Sequence, residues 1–180
     1  WPELSSDCRL MNKLLRDLTD YSMSDQLTKQ RSDLCNLLRR AYLSCLPLTE
    51  GTNKTLTYTS RVSCAYMPLD SPKMMEALLN LIVNALDAVS DNGSVQIILT
   101  KSNEQFVVSI IDDGCGIAPK QLLTIFHPFT TTKPDGTGLG LPVAKRIIEG
   151  HGGHIRVSSA PNQGATFTFL LPCSFSSDRK

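Results

Sequence analysis

The sequence has no metal-binding or redox spacing. Its six cysteines, Cys8, Cys35, Cys45, Cys64, Cys115 and Cys173, are scattered with no CxxC and no Cys/His interval, which argues against a zinc site and against a disulfide framework. A reduced, cytoplasmic setting is expected. There is no apolar run near the ~20 residues of a membrane span and no signal peptide. A start at Trp1-Pro2 instead of Met is expected of a piece cut from a longer protein, one with room elsewhere for an anchor in the inner membrane. Charge of one sign is also lacking: 18 Lys and Arg against 17 Asp and Glu leave a net +1, mixed along the chain. Neither a nucleic-acid surface nor a basic membrane-binding face is therefore expected. No GxxxxGK[ST] occurs, which removes a Walker loop, and no GxGxxG follows a strand, which removes a Rossmann site.

What is present suffices for one packed domain with an arm, given 180 residues and 41% hydrophobic content. Residues 7–22 place Met11, Leu14, Leu18 and Tyr21 on one helical stripe, suited equally to a partner helix and to the domain's own surface. A second helix is expected over about 30–45, with Leu34, Leu37, Leu38, Ala41 and Cys45 on its apolar side and Pro47 at its end. Residues 54–60 and 62–66 read as strands. Asp70-Ser71-Pro72 announces a helix over about 72–90, with Ser71 as N-cap and Pro72 in the first turn.

That helix is apolar on most sides, apart from Glu76, Asn80, Asn84, Asp87 and Asp91. Their spacing puts them on one line along the rod. Asparagine is a mediocre helix former whose amide needs partners when buried, so something polar is expected against this line, although a solvated face is the plainer alternative. Strands at 95–100 and 106–111 follow and deliver Asp112 to a turn, Asp112-Asp113-Gly114-Cys115-Gly116-Ile117. Residues 118–137, with two aromatics, three consecutive threonines and Lys133, read as a lid. Gly136-Thr137-Gly138-Leu139-Gly140-Leu141 then stands ahead of a helix over 141–149, where backbone N–H groups can converge on an anion. Gly150-His151-Gly152-Gly153 stops that helix, and strands at 155–158 and 165–171 complete a sheet. A carboxylate at a strand end and an anion-binding helix start together describe a nucleotide site.

The order and separation of Asn80-x-x-x-Asn84-Ala85, Asp112-x-Gly114-x-Gly116, Phe126-x-x-Phe129 and Gly136-Thr137-Gly138-Leu139-Gly140-Leu141 closely resemble the catalytic ATP-binding domain of bacterial sensor histidine kinases. That superfamily is shared with gyrase B, the large heat-shock chaperone and MutL. Asn84-Ala85-Leu86-Asp87-Ala88, Pro128-Phe129-Thr130-Thr131-Thr132-Lys133 and His151-Gly152-Gly153 look most like the nitrogen-regulation type. The resemblance covers about 30–172. It implies an α+β fold, a two-layer sandwich of a mixed sheet with three helices on one face and a flexible ATP lid. Residues 1–25 would be a remnant of the dimerisation-domain helix, 26–175 the ATP-binding domain and 176–180 a tail.

By the same resemblance, Asp112 accepts from the adenine amino group, and Thr166 helps fix that aspartate and a water. Asn84 ligates Mg²⁺, Asn80 assists at the metal, and Lys133 meets charge developing on the γ-phosphoryl group. Gly138 and Gly140 let the backbone approach the phosphates. Gly114, Gly116, Ile117, Asp87, Phe129, Thr131, Thr132, Gly136, Thr137, Leu139 and Leu141 complete the expected ATP contacts, with Phe126 and Phe129 anchoring the lid. Hydrolysing relatives carry a glutamate where Asn80 stands, and an amide is no general base, so slow hydrolysis is expected. None of His127, His151 and His154 suits a phosphoacceptor. The implied partners are the parent's dimerisation domain, in a homodimer, and a response-regulator receiver domain. The alternatives are a nucleotide-responsive interaction module without transfer and a hydrolysing ATPase of the gyrase or MutL kind.

Overall fold

The computed structural model describes residues 26–133 and 136–173. The expected helix over 7–22 and the tail over 176–180 lie outside them, as do Pro134 and Asp135 of the expected lid. Gln30–Asp33 forms a strand, β1, instead of the start of a helix, and pairs antiparallel with β3 (Tyr66–Leu69) as a separate two-stranded ribbon. The helix begins only at α1 (Leu34–Cys45), because Asp33 caps it. Asp33 Oδ1 accepts the Cys35 N–H at 3.0 Å and the Ala65 N–H at 2.9 Å. A capping residue keeps extended backbone, here φ −93° and ψ 110°, so the helix cannot run back through it.

The main sheet contains β2 (Thr55–Ser60), β4 (Ser94–Ser102), β5 (Gln105–Asp112), β6 (His154–Ser159) and β7 (Ala165–Pro172) in the order β2-β4-β5-β7-β6. Only β2 and β4 pair parallel, and the chain between them makes the crossover that such a pair requires. That crossover carries α2 (Ser71–Ala88). Its N-cap is Asp70, not Ser71: Oδ1 accepts the Lys73 N–H at 3.1 Å.

Period-two alternation sorts the strands into two faces. Val95, Ile97 and Leu99, Phe106, Val108 and Ile110, and Phe167, Phe169 and Leu171 are buried on one face. Against it lie α1, α2 and α4 (Gly140–Gly150), with α2 central. Burying one such Leu, Ile or Phe contributes about 1.5–3 kcal/mol, so this layer holds the fold together. Asp112 ends the row Phe106, Val108, Ile110 on the middle strand, which places one carboxylate at the rim of an apolar core. A short helix, α3 (Pro119–Leu122), opens the lid segment. No helix among the described residues is long and apolar enough to cross a membrane.

At the opposite end of α2 and α4 a histidine joins three segments. The buried His151 Nε2 accepts the Asp70 N–H at 2.9 Å, and Nδ1 therefore carries the proton it shares with the Ile147 carbonyl at 2.7 Å. Asp70 Oδ2 in turn accepts the Thr28 N–H at 2.9 Å. Thr28 belongs to a strap over residues 26–29 that passes beside Gly150 at the end of α4, where Leu27 lies. Desolvation by burial lowers the His151 pKa, and Lys29 nearby adds to this; the Ile147 bond and Asp70 act the other way.

Candidate functional site

Asp112 is only 5% exposed. Its Oδ1 accepts two backbone N–H groups, from Gly114 at 3.0 Å and from Ala165 at 3.1 Å. Oδ2 takes no hydrogen bond from any described residue, so one carboxylate oxygen is fixed and the other is left for a ligand donor. Burial raises the Asp112 pKa, the two N–H bonds lower it, and the neighbouring Asp113 carboxylate raises it slightly. Asp113 itself points elsewhere: it accepts the Ser94 N–H at 2.8 Å and the Ser94 hydroxyl at 2.7 Å, which hold its pKa down.

The turn after Asp112 is clamped on both sides. Cys115 N–H donates to the Ala88 carbonyl at the end of α2, and the Cys115 carbonyl accepts the Asn162 N–H at 2.7 Å. Gly116 has φ +68°, and a Cβ there would run into the Ala160 carbonyl, so only glycine fits. Ile117 N–H donates to Ser159 Oγ at 2.8 Å, and Ser159 Oγ donates to the Gly164 carbonyl at 2.6 Å. The turn from Pro161 to Gly164, between β6 and β7, is therefore a wall of the site. Ser94, Ser159 and Ala88 are supporting residues that the sequence reading misses. Their signal is spatial: the register between β5 and β7 brings the two turns together, while the start of β4 and the end of α2 close on the glycine turn from the other side.

The polar line of α2 lies beneath the lid and the start of α4. Asn80 sits against Gly140, where an added Cβ would meet the Asn80 amide oxygen at 3.4 Å. One turn on, Asn84 Oδ1 accepts from Lys133 Nζ at 3.1 Å, and Asp87 Oδ2 pairs with the same ammonium at 2.9 Å. Glu76 is occupied by Lys73 at 3.0 Å. The plain solvated-face alternative thus holds for Glu76, while Asn80, Asn84 and Asp87 face other parts of the domain. At α4, no side chain caps the first turn, so its early N–H groups are open to an anion. Gly138 has φ +67°, and a Cβ there would collide with the Phe129 backbone. The Phe129 N–H donates to the Gly138 carbonyl at 3.1 Å, which fastens the lid segment to the glycine cluster.

Two expected residues behave differently. Phe126 packs as a lid anchor would, edge-on to Phe167 at 6.5 Å with Lys145 over its ring, but Phe129 is 61% exposed at φ +64° and has no comparable ring contact among the described residues. Thr166 is paired with Ile111, one place out of register with Asp112. The pleat sends its side chain to the other sheet face, and the residue that reaches Asp112 is Ala165, through its backbone. Of the remaining expected contacts, Thr131, Thr132 and Lys133 are exposed and Thr137, Gly138 and Leu141 half-buried, while Leu139 is buried.

The donor set fits a magnesium nucleotide. Asn84 Oδ1 already holds a cation in the form of the Lys133 ammonium, no described residue donates to Asp112 Oδ2, and no side chain among the described residues caps α4.

Residues 69–174 match the family described as histidine kinase-, DNA gyrase B- and HSP90-like ATPases. The sensor histidine kinase ZraS of Salmonella typhimurium is 32% identical over 170 residues, 94% of this chain and 37% of that protein. The chain thus spans little more than a third of the length of such a relative. The catalytic domain of the histidine kinase ThkA shares the fold with a TM-score of 0.74 at 29% identity, over 81% of this chain and 96% of that one. Full-length ShkA in complex with AMPPNP gives 0.81 at 26% identity, over 94% of this chain and 36% of that one.

Proposed function

The chain belongs to the histidine kinase-, DNA gyrase B- and HSP90-like ATPases and comprises the ATP-binding domain of a sensor histidine kinase; on that premise we propose that it binds Mg-ATP and donates the γ-phosphoryl group to a histidine on a dimerisation domain outside this sequence. A response-regulator receiver domain would take the group next, and the parent would act as a homodimer. The observation that carries this reading is Asp112, with one oxygen pinned by two backbone N–H groups and the other without a donor among the described residues. Adenine offers an amino group there, whereas guanine offers a carbonyl, which a carboxylate repels.

Asn84 and Asn80 face the phosphate side, and Mg²⁺ when bound neutralises charge on the phosphate chain. Asn84 supplies an amide oxygen, the hard neutral ligand that suits a cation keeping several waters. The uncapped turn of α4 holds phosphate oxygens by N–H groups and helix dipole. Lys133 serves the γ-phosphoryl oxygens, where charge builds during transfer. Asn80 has no useful basicity, so water is not activated and transfer to an imidazole is favoured over hydrolysis. His151 is buried and committed to the fold at both ring nitrogens, so it does not serve as acceptor.

Calorimetric titration with AMPPNP, with and without Mg²⁺ and against a GTP analogue, tests the site. We expect adenine-specific, Mg²⁺-assisted binding that Asp112→Ala abolishes and that Asn84→Ala leaves Mg²⁺-independent. Normal binding in both variants would sink the assignment. Labelled ATP should then phosphorylate a supplied dimerisation domain in trans, with no acid-labile label on this chain's own histidines.

A further inference from the structure

This inference rests on the nucleotide reading above and concerns what Lys133 does before and after binding. Its base is held in a compact turn: the Lys133 N–H donates to Thr131 Oγ1 at 3.0 Å, and the Gly136 N–H donates to the Lys133 carbonyl at 3.1 Å. From there the side chain reaches α2 and divides its ammonium between Asn84 Oδ1 and Asp87 Oδ2. Asn84 Oδ1 is the oxygen proposed for Mg²⁺. A divalent cation and an ammonium repel each other too strongly to share that single carbonyl oxygen, so a metal ion arriving on Asn84 must expel the lysine. Lys133 then has two anionic places to go. It can stay on Asp87, one turn further along the helix, or it can move to a terminal phosphoryl group. The Lys133–Asp87 pair is 42% and 51% exposed in its side chains, so it is weak enough to be broken by a better anion.

We propose that Lys133 is a resident counter-cation exchanged between Asp87 and the γ-phosphate, and that Asp87, by competing for the lysine, limits the preference of the site for nucleoside triphosphate over diphosphate. A triphosphate releases the lysine from Asp87 and recovers its charge pairing on the γ-phosphoryl oxygens. A diphosphate ends one group short, so the lysine remains on Asp87 and the ligand gains nothing from it. Asp87 is in this account a specificity-determining residue that acts through Lys133 and need not touch the nucleotide.

The test is a double-mutant cycle read by calorimetry on the full chain, using AMPPNP and ADP with Mg²⁺, for wild type, Asp87→Asn, Lys133→Met and the double variant. Removing the Asp87 competitor should tighten AMPPNP about two- to fivefold, the range expected of an exposed ion pair, and leave ADP nearly unchanged. In the Lys133→Met background the same Asp87→Asn change should do nothing, because no lysine remains to be released. A gain shared equally by AMPPNP and ADP, or one that persists without Lys133, is a general charge effect and overturns the proposal. Wild type that binds neither nucleotide overturns the site reading along with it, whereas intact wild-type binding with no cycle coupling removes only the exchange. Both side chains are exposed, so thermal melts of the variants should match wild type and confirm that affinity alone has changed.

Discussion

Asp112 sets function and stability against each other within one side chain. Burial raises its folded pKa above the ordinary 3.8, so at neutral pH its charge is a cost to folding, a cost that falls as pH drops through the raised value and is gone below the unfolded one. Asp112→Asn keeps an acceptor for the Gly114 and Ala165 N–H groups and removes the charge. We expect its melting temperature at pH 7 to equal or exceed wild type, with the advantage fading toward pH 4, while adenine binding is lost because an amide donor now faces the adenine amino group. Asp112→Ala should instead lose about 1–3 kcal/mol, since two N–H groups are left without an acceptor. Equal melting points for the two variants would show that the N–H bonds contribute nothing. The position of Asp112 at the end of a buried strand is legible in sequence because a strand pattern runs straight into it. Thr166 misleads because a one-place register difference reverses the face, and a single sequence carries no register between strands that are far apart.

At the scale of elements, the sequence pattern finds α2 and α4 because their apolar positions recur at helical intervals over many residues. It loses β1 and β3. Gln30–Asp33 has no alternation to signal a strand, and Pro68 inside Tyr66–Leu69 suggests a break, yet Pro is tolerated in such an edge ribbon. The signal for the true start of α1 is the capping type of Asp33, three residues later than expected. The joint at His151 is likewise invisible until α2 and α4 are side by side. Its neutral ring has a lowered folded pKa, so folding is most favoured above the unfolded value near 6.5 and loses stability as pH falls below it toward the folded value. Lys29 and Asp70 are the charged groups that face the ring. Urea midpoints should thus fall between pH 7.5 and pH 5.5 in wild type. In His151→Gln the overall stability is lower, but this part of the pH dependence disappears. An unchanged slope in the variant would assign the titration to another group.

For the molecule as a whole, the site is assembled from α2, the end of β5, the lid segment and the start of α4 around one core, so binding and folding should fail together. Ile110 is fully buried on the middle strand, two residues before Asp112. Ile110→Ala should cost about 2–5 kcal/mol. Circular dichroism and a bound fluorescent nucleotide should report the same shifted midpoint. A nucleotide transition well ahead of the backbone transition would mean that the site loosens as a separate unit.

The strap bond from Thr28 to Asp70 lies at one end of α2, and the Ala88 carbonyl that holds the glycine turn lies at the other. Between them the helix is a drive shaft about 27 Å long, with Asn80 and Asn84 mounted on it as teeth. A torque applied at the strap that turned the shaft by roughly 10° would sweep an amide tip, about 5–6 Å from the axis, through roughly 1 Å. A displacement of that size at a reacting centre can change a rate a hundredfold.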